Sequence, residues 1–108
     1  MVGAGSSLRD QVMRKLRITW SDEATDARVQ YDMDNARAVL LDKIGIPDPD
    51  YDFSQPGQEN LLYVNYCYYA WNDAEDDFFA NYFDDIMQVR RKWEVIQYAE
   101  EKEGAAKL

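Results

Sequence analysis

The sequence predicts an all-α fold: a small bundle of three to four helices with a long second helix and a long C-terminal helix, in one domain spanning residues 1–108. Three observations lead there. Apolar residues recur at intervals of three and four through each long segment. Helix start and stop signals fall at Ser7, at Ser21 and at Gly45 with Pro47. Hydrophobic residues make up 46% of the chain, with three Trp, eight Tyr and four Phe. That is enough to oppose the ordering entropy of one core, and 108 residues leave little room for a second.

The first helix is placed at 7 to 17, where the Ser7 hydroxyl can cap free N–H groups and Leu8, Val12, Met13 and Leu16 share one side. Ile18-Thr19-Trp20 breaks the pattern. Ser21, followed by Asp22 and Glu23, supplies the second cap, with acids suited to the positive helix end. Val29, Met33, Ala36, Leu40 and Ile44 then form a core stripe, beside a second stripe of Ala24, Ala27, Tyr31, Ala38 and Leu41. Gly45 fits the left-handed position after a helix and Pro47 blocks continuation, so this helix ends near Ile44.

Residues 46–58 hold all three prolines and read as a loop, long for a helix connection. From Glu59 the chain turns apolar and aromatic. The β propensity of Leu61 to Trp71 makes a strand conceivable, but Tyr63, Cys67, Ala70, Trp71 and Ala74 keep helical spacing with no turn signal inside. Asn72 to Asp77 is polar without Gly or Pro, so residues 59–102 form either one helix or two. Phe79, Tyr82, Phe83, Ile86, Val89, Trp93 and Ile96 extend an aromatic face to about Glu101, and loose ends are expected at 1–6 and 103–108.

The net charge of −9 disfavours tight binding to nucleic acid or anionic lipid. An acidic wall can nevertheless line a passage through which DNA slides without sticking. A single cysteine, Cys67, permits no internal disulfide and reads as a buried spectator. The opening residues lack the basic and apolar parts of a signal peptide, and no later run reaches the length of a membrane span, so a cytoplasmic protein is expected.

Histidine is absent, and with it the commonest general base and metal ligand. No Gly-rich phosphate loop or nucleophile elbow is present, so no enzymatic activity and no cofactor are expected. Asp48, Asp50, Asp52 and Glu59 reproduce the acidic skeleton of a calcium loop, but Phe53 stands where that loop needs Gly, and two prolines stiffen it. A solvated proline-rich loop is the ordinary alternative. Two basic clusters stand out: Arg14, Lys15 and Arg17, and Arg90-Arg91-Lys92. Ion pairing between subunits competes there with helix-end electrostatics, solvated faces and phosphate contact. Tyr63, Tyr66, Tyr68, Tyr69, Trp71, Phe78, Phe79, Tyr82, Phe83, Trp93 and Tyr98 spread around more than one helical face, which suggests that part of the set meets another subunit.

The order of these signals resembles the head-tail connector proteins of tailed bacteriophages, also called head completion or adaptor proteins. The resemblance runs from the first helix through Leu16-Arg17-Ile18-Thr19 and the acidic Ser21 to Ala27 segment, into the long helix ending Ala36 to Gly45, and on to Leu61 to Trp71. It implies a ring of identical subunits docked beneath the portal, extending the DNA channel and offering a platform to tail or stopper proteins. The location implied is the virion, with assembly in the host cytoplasm. On that reading Tyr82, Phe83, Trp93 and Arg90, Arg91 and Lys92 are the interface residues, and the proline-rich loop or the C-terminal segment orders on docking. The alternative is an acidic helical protein-binding module, a regulator or inhibitor of a basic partner.

Overall fold

The computed structural model describes residues 7–107, with side chains as far as Lys102. It contains α1 (Leu8–Leu16), α2 (Glu23–Ile44), α3 (Gln58–Trp71), α4 (Glu75–Asn81) and α5 (Phe83–Lys107), with no strand among the described residues. The all-α class holds, while five helices replace the expected three to four.

The helix ends show why. Ser7 Oγ accepts the Asp10 N–H at 3.0 Å and caps α1. At its other end Arg17 adopts φ 61°, and the N–H groups of Arg17 and Ile18 return to the carbonyls of Arg14 and Met13. This double return satisfies carbonyls that the helix itself leaves open. The cap of α2 is Asp22, one residue beyond the expected Ser21, and its carboxylate accepts the Thr25 N–H at 2.8 Å. Gly45 at φ 82° ends α2 where the sequence placed the stop.

The joint between α3 and α4 repeats the α1 device without glycine. Asp73 takes φ 56°, its N–H bonds to Ala70 O, and Ala74 N–H returns to Tyr69 O. A second break at Tyr82 separates α4 from α5, so residues 59–102 form three helices. α5 continues to Lys107, past the end expected near Glu101. The loose ends expected at 1–6 and 103–108 fall on residues whose backbone or side chains lie outside the description.

α3 is the central element and packs on all four other helices. Val12, Val29, Leu40, Ile44, Leu62, Tyr63, Cys67, Phe78 and Val89 fill the core around it. The proline-rich segment contributes Phe53, which is fully buried and lies 5.0 Å from the Tyr63 ring. Burying a side chain of that size stabilises by about 2 kcal/mol or more. Arg37 Nη1 donates to the carbonyls of Pro49 and Tyr51, and Asn60 Nδ2 donates to Phe53 O. The loop therefore packs as part of the bundle.

Candidate functional site

The acids that suggested calcium are turned to other tasks. Asp48 accepts the Asp50 N–H at 2.9 Å, and Asp52 accepts from the Ser54 N–H, the Ser54 hydroxyl and Gln55. These bonds, led by the Ser54 hydroxyl, hold Asp52 at about 2. Glu59 points away from both, into the core. Among the described residues no cluster of three or more His, Cys, Asp or Glu side chains able to hold a metal ion is formed.

Glu59 is 5% exposed, and its Oε2 accepts from Lys92 Nζ and from Trp93 Nε1, the latter at 3.0 Å. Burial alone would raise its pKa. The hydrogen bonds from Lys92, from backbone and from Trp93 outweigh that burial and lower it. Tyr51 closes the corner edge-on to Trp93. Two of the expected interface residues, Lys92 and Trp93, thus serve as internal braces of the fold. A carboxylate at an apolar-stripe position, Glu59 with Leu62, Tyr63 and Tyr66, was the signal that a cation and a donor were needed from elsewhere.

Arg90 is also engaged internally, donating to Lys43 O at 2.9 Å and pairing with Glu94 at 3.6 Å. Tyr82 is half-buried and stacks on Phe78, with ring centroids 5.0 Å apart. Arg91 and Phe83 remain outward, Phe83 being 58% exposed. Of the eleven aromatic residues singled out, Tyr63, Tyr66 and Phe78 are buried, and Tyr69, Trp71, Phe79, Tyr82 and Trp93 are half-buried. Tyr68, Phe83 and Tyr98 are exposed. Most of the set is consumed by one copy, because rings from α3 and α4 pack edge to face on one another around Phe78.

A second buried acid lies on α2. Asp32 is 6% exposed, and its Oδ2 has no hydrogen-bond partner; Arg28 Nε is 3.8 Å away. Desolvation raises its pKa, against the pull of Arg28 and with further push from Glu75 and Asp73. The neighbouring Cys67 is buried, and its thiol is pushed up to about 12 by burial and then by Asp32, which leaves it protonated and unreactive at neutral pH.

What remains exposed is apolar surface on several helices. Tyr31 of α2, Leu61 and Tyr68 of α3, and Val95 and Tyr98 of α5 all face outward. On α5, Arg91, Val95, Tyr98 and Lys102 follow one another at three-and-four spacing on a single exposed stripe. No family model, curated protein or solved structure matches the chain. The fold and these surfaces define an all-α protein whose large exposed apolar side chains, among the described residues, lie on α2, α3 and α5 and at Trp20 between α1 and α2.

Proposed function

We propose that the chain is a structural head-tail connector of a phage or prophage particle. In this reading it forms a ring below the portal, extends the DNA channel and docks the tail. It acts by assembly and has no catalytic step. One observation carries the reading: beyond Gln97 every described side chain of α5, Tyr98 to Lys102, is exposed. The side-chain bond farthest along α5 among the described residues is Gln97 Nε2 to Gly45 O at 2.8 Å. The helix then continues to Lys107, about 15 Å further at 1.5 Å per residue. Val95 and Tyr98, 63% and 65% exposed, lie on either side of Gln97. Large apolar side chains left exposed in this way are surface that a partner chain would bury.

The sequence supports the same reading. The order of helical segments resembles the connector family, and a net charge of −9 suits a channel wall along which DNA slides. With Lys92 and Trp93 committed to Glu59, the outward-facing docking residues of this proposal become Phe83, Arg91, Val95 and Tyr98. The test is sedimentation of the purified chain with the portal protein encoded in its own genomic neighbourhood. Co-sedimentation is the expected result. A chain that stays behind while portal rings sediment, and binds a basic protein instead, would be an acidic binding module.

A further inference from the structure

α3 packs on every other helix and still leaves one stripe open. Leu61, Val64, Asn65 and Tyr68 follow at three-and-four spacing, with Leu61 61% and Tyr68 43% exposed. The two flanks of this stripe carry opposite charge. On one side α1 brings Arg14 and Lys15 against Leu61 and Val64, with Lys15 Nζ 5.4 Å from the Tyr68 ring centre and Arg17 beside it. On the other side a hollow of about 300 Å³ separates Leu61 and Asn65 from Tyr82 and Asp85. Asp84 borders the same flank, one helical turn before Gln88, which bonds to Gln58 at the foot of that hollow. Among the described residues, none of Arg14, Lys15, Arg17, Asp84 or Asp85 has an opposite charge within salt-bridge distance.

We infer that this face binds a second copy of the chain, with the α1 bases of one copy against Asp84 and Asp85 of the other and Leu61 and Tyr68 buried between them. The charge pattern selects that occupant. A polyanion or a uniformly basic partner would be attracted by one flank and repelled by the other, whereas the patch is complementary to itself. A two-fold axis running along α3 lays base over acid on both flanks; an axis across α3 would lay base over base. The reciprocal arrangement closes into a two-fold pair that uses this face on both copies, so a ring would join such pairs through a second face. This rests on the assembly reading above and names one contact between copies within it.

The test is equilibrium sedimentation of the full chain up to about 1 mM, the weak end of specific association. Three variants are compared with the parent: Arg14→Glu with Lys15→Glu, Asp84→Lys with Asp85→Lys, and Leu61→Ser, with thermal melts to confirm folding. Each variant alone should lose self-association by roughly tenfold or more, since like charges then face each other or the apolar centre is lost. Mixing the two charge-reversed variants should restore it. A parent chain that stays monomeric throughout overturns the inference. So does association that none of the variants changes, although that second result leaves assembly through another face, and the portal test, untouched.

Discussion

Two acids on core-facing helices, Glu59 and Asp32, are almost equally buried and meet opposite fates. Glu59 is supplied with an ammonium and an indole N–H, both from α5, and stays ionised below its ordinary pKa. Asp32 has a guanidinium nearby whose remaining donors go elsewhere. Arg28 Nη2 serves the carbonyls of Ala70 and Trp71 and the Asp73 carboxylate, and its plane lies over Trp71. Equal burial therefore says little about a carboxylate. What decides is how many donors the packing commits to it.

The largest effect should come from breaking the satisfied corner. Glu59→Ala leaves Lys92 and Trp93 without their acceptor and opens space beside Tyr51, so a loss of about 3 kcal/mol in urea unfolding is expected. A loss below about 1 kcal/mol would show that Lys92, which is partly exposed, is served as well by water.

The pH dependence separates the pair next. Glu59 has a folded pKa below its ordinary 4.5, so its stabilisation is present above that value and is lost as pH falls through the folded pKa. Asp32 has a folded pKa above 3.8, so its contribution is full below 3.8 and is lost as pH rises through the folded value. Unfolding midpoints measured across the acid range should show a reduced acid-side loss in Glu59→Gln. Asp32→Asn should remove the opposite trend. Parallel curves for parent and both variants would mean that neither acid shifts on folding.

At neutral pH Asp32→Asn should be neutral or stabilising by up to about 1 kcal/mol, because it removes a charge that has no hydrogen-bond partner at Oδ2 while Arg28 keeps Asp73. Marked destabilisation in a melt would show that the Arg28 pair outweighs desolvation. The smallest effect is expected at Arg17→Gly, where φ 61° strains a residue with a Cβ; relief of about 0.5 kcal/mol should raise the midpoint slightly.

The same contrast marks what the sequence could reveal. Ser7 and Gly45 with Pro47 announce their caps because their side chains, or the lack of one, fit a single backbone geometry. Arg17 and Asp73 do the same job in the left-handed region without glycine, so the α3–α4 joint stayed ambiguous. Tyr82 breaks a helix with no local signal at all. Phe53 reads as loop because its neighbours are Pro and Asp, and only long-range packing on Tyr63 draws it inside. Lys92 and Trp93 looked outward because the acid that claims them is more than thirty residues away in sequence.

Partner burial of the uncovered α5 stripe is tested most directly by sedimentation velocity of the chain mixed with its portal ring, comparing the parent with a Val95→Asp, Tyr98→Asp variant of unchanged melting temperature. The parent should travel with the ring and the variant should not. A parent that sediments alone, or a variant that binds as well as the parent, would contradict the assignment of that stripe to another protein.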